Sequence, residues 1–157
     1  LKSKDKTRFI QYEEARENPY TDIIVPMYKS TTIMQEYVNS KHDRPYIQCE
    51  YAHMMGNSGG NLKDDWDLMY KHEQLQGGFI WDFSDQTFKK KDLNERSIWA
   101  YGRDMGNVGA TSDTSFCADG IFAADRSPHP QAFEVKKVYQ NIYFDYLDFI
   151  KKKIKTI

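Results

Sequence analysis

The chain has 157 residues, enough for one domain with a core that buries about 68–70% of its unfolded surface. Its 22 basic and 23 acidic side chains leave a net charge of −1, which excludes the broad basic field of a nucleic-acid binder. No apolar run approaches the roughly 18 residues of a membrane-spanning helix, and aromatics at 15% demand burial rather than disorder. Leu1 to Arg8 are charged, so no signal peptide is legible and a soluble, cytoplasmic chain is the default expectation. Cys49 and Cys117 make neither a disulfide framework nor a zinc pattern.

In chain order, the first predicted element is a strand, Asp22 to Tyr28. Ser30 or Thr31 then caps a helix through about Asn39, with Ile33, Met34 and Tyr37 on one face. A second strand runs from Pro45 to Tyr51. Asn57 or Ser58 caps a second helix through about His72, in which Leu62, Trp66, Met69 and Tyr70 share a face. The third strand is Gly77 to Phe83. The continuous apolar character of these strands predicts burial on both faces, as in a parallel sheet. Residues 84–129 read mostly as loop, punctuated by Gly102, Gly106, Gly109, Gly120 and Pro128. A third helix starts at Pro130, a good first-turn residue, with Phe133 and Val138 inward. The Lys151-Lys152-Lys153-Ile154-Lys155 run reads as a solvated tail.

The order is β-α-β-α-β, a long loop region, then α. Strand ends near 28, 51 and 82 fit the roughly 31-residue repeat of a (β/α)8 barrel. Three strands in 157 residues fall short of a closed barrel, so the fold class is α/β, either part of a barrel or a small open sheet.

In parallel α/β folds chemistry gathers at the C-terminal ends of strands. Here those ends carry Tyr28; then Glu50, Tyr51 and His53; then Trp81, Asp82 and Asp85. Glu50 stands where a buried strand opens, and a carboxylate is rarely buried there without a partner. It is either a structural Glu hydrogen-bonded to neighbours or a catalytic carboxylate. A ring platform beside a carboxylate and an imidazole suits a carbohydrate, with its apolar faces and polar rims.

Long stretches around these ends resemble the β-galactosidases of glycoside hydrolase family 2. They are Thr21 to Tyr28, Arg44 to Ser58 with its Cys-Glu-Tyr-Ala-His motif, and Leu75 to Gln86. Trp99 to Gly102, Phe116 to Gly120 and Ala124 to Pro130 follow in the same order. The resemblance covers roughly residues 7 to 145. It implies the last three βα units of a (β/α)8 TIM barrel plus long loops over residues 1–140. Residues 141–157 would be a linker or the start of a following β domain.

The resemblance also assigns roles. Glu50 matches the catalytic nucleophile and Tyr28 the tyrosine that hydrogen-bonds it. His53 and Asp119 match substrate-binding positions, and Trp81 matches the floor of the sugar pocket. Phe116, through its backbone carbonyl, and Asp119 match positions that hold a sodium ion; some members carry asparagine in place of Asp119. The implied reaction is retaining hydrolysis of a β-galactoside such as lactose, through a galactosyl ester on Glu50.

The acid/base partner, which in the family follows an asparagine on an earlier strand, is expected to lie outside this chain, as are the magnesium ligands. The Asn94-Glu95 pair sits in a polar stretch with no strand leading into it and is not a substitute. Alone, the chain is expected to have little or no activity and to need the remainder of the barrel or a homo-oligomer, with neither nucleic acid nor membrane as partner. The alternative is a non-catalytic galactoside-binding or complementing piece.

Overall fold

A computed structural model describes residues 1–40, 42–106, 109, 111, 112, 114–144, 155 and 156. The elements that position the candidate site are α1 (Thr31–Asn39), β1 (Tyr46–Tyr51), α2 (Leu62–Lys71) and β2 (Leu75–Ile80). A hairpin of β3 (Phe88–Lys91) and β4 (Ser97–Ala100) follows, then α3 (Pro130–Val138). Short 3-10 turns cover Glu13–Ala15 and Gly102–Met105. A two-residue pairing joins β5 (Ile142–Tyr143) to β6 (Lys155–Thr156). Apart from these pairs, the expected tail falls largely outside the described residues. No helix among the described residues is long and apolar enough to cross a membrane.

β1 and β2 pair in parallel. The predicted first strand lies along the other edge of β1, touching it through parallel bridges at Ile24–Tyr46 and Met27–Glu50. Its bonds alternate: Ile24 N–H donates to the Pro45 carbonyl, the Ile24 and Pro26 carbonyls accept from Ile47 and Cys49, and Tyr28 N–H donates to the Glu50 carbonyl. Pro26 has no N–H to give, so the segment pairs as an interrupted edge rather than a continuous strand.

Helices cover one face of this sheet. Buried residues Ile24, Tyr46, Tyr51 and Leu75 meet Met34 and Tyr37 of α1, Leu62 and Met69 of α2, and Ala132, Val135 and Val138 of α3. Burial on both faces does not hold among the described residues: Phe79 on β2 is 67% exposed. Helical faces are narrower than the spacing predicts. Ile33, Tyr70 and Phe133 point to solvent, whereas Met34, Met69 and Val138 are buried.

Three boundaries differ from expectation. α2 begins at Leu62, not near residue 58, because the Ser58 hydroxyl donates to the His53 and Met55 carbonyls instead of capping a helix. β2 begins and ends earlier, at Leu75 and Ile80, with Gly77 at φ +112° beside a register shift. The region read as loop contains the β3–β4 hairpin. Ser30 caps α1 as expected, its hydroxyl accepting from Ile33 N–H, and Pro130 opens α3.

Where α2 meets the sheet, Trp66 stacks on Tyr139 at 4.5 Å between ring centroids, and the Tyr51 and Tyr139 hydroxyls hydrogen-bond. Half-buried Asp65 lies close by; burial, with a smaller push from Asp64, raises its pKa to about 6. A raised carboxyl stabilises the fold below its unfolded pKa, and that contribution is lost as pH rises through about 6. The difference from an ordinary aspartate corresponds to roughly 3 kcal/mol, which partial solvation cuts to on the order of 1 kcal/mol. Asp65→Asn is therefore expected to be the more stable protein at pH 7 by about that amount. The advantage should vanish below about pH 4, read by urea denaturation at both pH values. Equal stability at pH 7 would contradict this.

Candidate active site

The bridged edge, β1 and β2 end side by side, and the expected site residues gather at those ends. β1 carries a register shift between Gln48 and Tyr51, so Glu50 leaves the regular alternation, as bulges beside active sites commonly arrange. Tyr28 sits at φ +50°, a left-handed conformation that a bulky residue adopts only when its surroundings hold it. Two groups hold it. The Glu50 carbonyl accepts the Tyr28 N–H at 2.9 Å, and the Gln48 side-chain oxygen accepts the next N–H, of Lys29, at 2.6 Å. The Tyr28 hydroxyl then donates to Glu50 Oε2 at 2.8 Å. Burial and the adjacent Glu50 carboxylate raise the Tyr28 pKa well above the ordinary tyrosine value, so the hydroxyl stays a donor.

Trp81 follows β2. Its N–H donates to the Tyr51 carbonyl and its carbonyl accepts from Met54 N–H, which clamps it against the chain leaving β1. The Trp81–Asp82 peptide is cis. The indole N–H donates to Asp119 Oδ2 at 3.1 Å, and His53 Nε2 lies 3.7 Å from the same oxygen. The His53 ring meets Tyr28 at 5.9 Å and Phe116 at 5.8 Å, centroid to centroid. Thus Tyr28, His53, Phe116, Asp119 and Trp81 form one connected cluster, with Glu50 attached through Tyr28. Phe116 and Trp81 remain partly open to solvent.

Asp119 is the deepest member, 2% exposed. Burial raises its pKa against the opposing effects of the Trp81 hydrogen bond and nearby His53, and Asp82 and Asp85 add to the rise. Its second oxygen, Oδ1, is buried with no hydrogen-bond partner among the described residues. A buried, unpartnered carboxylate oxygen suits a hard cation or a ligand hydroxyl. Among the described residues no group of three or more His, Cys, Asp or Glu side chains converges as a metal site.

Sequence reasoning missed Gln48. Its only signal is a polar residue inside the apolar run Tyr46-Ile47-Gln48-Cys49. It is fully buried, and it ties α1 to the Tyr28 turn. The Asn94-Glu95 pair lies in the turn joining β3 and β4.

A family profile described as glycosyl hydrolases family 2, TIM barrel domain, matches residues 1–144. The chain belongs to that family. Among curated relatives, a beta-galactosidase of Pseudoalteromonas haloplanktis is 42% identical over 156 residues, covering 91% of this chain and 15% of the relative. A beta-galactosidase of Halalkalibacterium halodurans is 43% identical over 146 residues, covering 90% of this chain and 14% of the relative. One from Oenococcus oeni is 43% identical over 158 residues, covering 92% and 15%. The chain therefore spans about 15% of the length of the relatives it matches. The family is a barrel family, and this member of it shows an α/β unit with no closed sheet among the described residues.

Proposed function

We propose that this chain carries the nucleophile half of a retaining β-galactosidase site, built on the last three βα units of the barrel over residues 1–140. The observation that carries the reading is the Tyr28 hydroxyl held on the Glu50 carboxylate at the mouth of parallel strands, beside the Trp81–Asp119–His53 cluster. The names of the relatives support the substrate class.

In this reading Glu50 attacks the anomeric carbon of a terminal β-galactosyl residue. The bond to the leaving oxygen breaks and an ester to Glu50 forms; water then hydrolyses the ester. Tyr28, kept protonated, orients the attacking carboxylate and stabilises its charge. Trp81 offers a flat apolar face to the sugar ring, and His53 and Asp119 bond its hydroxyls. Asp119 Oδ1 and the Phe116 carbonyl would hold a sodium ion, which supplies a fixed positive charge beside the sugar hydroxyls; oxygen donors of this kind fit a hard cation.

The general acid lies outside the chain, and such assistance is worth typically 10²–10⁴-fold. Loss of positioning by the rest of the barrel costs more. The purified chain alone is expected to turn over almost no lactose, with activity returning when the remaining segments of the parent enzyme are supplied. Appreciable lactose hydrolysis by the chain alone, lost in Glu50→Gln, would contradict this. A second reading, a complementing piece that only completes the sheet, draws support from the edges of the 22–28 segment and β2, which pair with no further strand among the described residues. Restored activity that Glu50→Gln leaves intact would favour it.

A further inference from the structure

Behind the candidate site, segments 82–86 and 117–122 run side by side. Asp82 N–H donates to the Asp119 carbonyl at 2.7 Å and Gln86 N–H to the Cys117 carbonyl at 2.6 Å. The Phe122 carbonyl accepts from Asp85 N–H, and the Phe83 carbonyl accepts from Phe122 N–H. Within this ladder the backbone at Gly120 presses so closely on Ser84 and Asp85 that a Cβ there would lie 2.2–2.4 Å from their backbone atoms. Only glycine allows that approach.

One carboxylate joins both segments to α3. Asp85 Oδ1 accepts the Gly120 N–H at 2.8 Å, and Asp85 Oδ2 contacts His129 Nε2 at 2.9 Å. The Asp85 side chain is 14% exposed, so these partners replace water. His129 precedes α3, and its N–H donates to the Ile121 carbonyl. Asp85 and His129 line a cavity of about 720 Å³, together with Met54, Ser58, Ser115 and Glu134. Glu50, Trp81 and Asp119 do not line it. The hydrogen-bonded link from Asp85 to the candidate site therefore runs through the amide of Gly120, the residue next to Asp119.

We infer that Asp85 is a positioning residue: anchored by His129, it fixes the Gly120 amide and thereby aims the Asp119 carboxylate at the Trp81 indole N–H. The inference rests on the proposed function only for what Asp119 does once aimed. A plain tie between loop and helix would lower stability without disturbing Trp81, and the two roles separate in one experiment.

The chain has three tryptophans, so an amide NMR spectrum carries three indole N–H signals, and Trp81→Phe assigns one of them. In Asp85→Ala the Trp81 indole signal is expected to move upfield and to exchange faster with deuterium, as the bond to Asp119 loosens. In Asp85→Asn the signal is expected to stay near its original position, because the amide oxygen still accepts from Gly120 and the amide nitrogen faces His129. Should Asp85→Ala not fold, Asp85→Glu serves: its extra methylene prevents both bonds at their present lengths while the charge is kept, and the same shift is expected. An unchanged Trp81 signal in either folded variant overturns the inference.

Galactose titrated into the same samples is expected to bind about tenfold more weakly to Asp85→Ala than to the unaltered chain. A shifted Trp81 signal with no galactose binding by either protein would support the positioning role and remove the sugar-pocket reading, so the two failures are distinguishable.

Discussion

Glu50→Gln is expected to abolish release of dinitrophenolate from a 2-deoxy-2-fluoro β-galactoside that bears it. That leaving group departs without protonation, so the reaction tests Glu50 without calling on a general acid. The unaltered chain should release one equivalent and stop, because the fluorine slows hydrolysis of the ester. Glutamine keeps the shape of Glu50 and can still accept from Tyr28, yet a neutral amide cannot form the ester. Glu50→Asp keeps the charge but withdraws it by one methylene from a hydroxyl now at 2.8 Å. A misplacement of about 1 Å can cost on the order of 10²-fold, so slow but complete release is expected there. Equal release from the Gln variant and the unaltered chain, followed by absorbance, would remove Glu50 from the mechanism.

The second large effect starts far from the chemistry. Met34 lies on the inward face of α1 and is fully buried. Its sulfur receives the Gln48 side-chain amide at 3.5 Å, and the other end of that amide accepts Lys29 N–H beside the strained Tyr28. Met34→Ala removes core volume and leaves a buried amide short of a partner, so about 3 kcal/mol of stability should be lost. For a chain of this length that is roughly 6–12 °C in Tm by calorimetry. Labelling at Glu50 should slow as well, because Gln48 no longer holds the Tyr28 turn in one place. Met34→Leu, near in volume, should cost less than about 1.5 kcal/mol. A Met34→Ala chain as stable as Met34→Leu would contradict this packing.

Much of the fold was legible because local chemistry carried it. Ser30 has the hydroxyl for a cap, Pro130 suits a first helical turn, and the three strand ends stand where apolar runs meet polar residues. Tyr28, Glu50, His53 and Trp81 were legible from their strand ends, whereas Phe116 and Asp119 were legible only through the resemblance, since they lie far from Trp81 in sequence and reach it through a loop of no regular pattern.

Other features had no local signal. Lys89-Lys90-Lys91 pairs as a strand with every residue exposed, so no alternation marks it; Lys89 lies over the ring of its cross-strand partner Trp99. Ile33 and Phe133 sit at helical spacing from buried neighbours yet are exposed. Ser58 carries capping chemistry that tertiary contacts redirect to the His53 and Met55 carbonyls. Gln48 and Asp85 act by joining segments distant in sequence, which composition and spacing do not reveal.

The most direct test of the central claim is the intact mass of the folded chain after incubation with the same fluorinated galactoside, with the modified peptide then sequenced. A single fluorogalactosyl adduct on Glu50 is expected. A chain that circular dichroism shows to be folded, but that carries no adduct or carries it on another residue, would contradict the account.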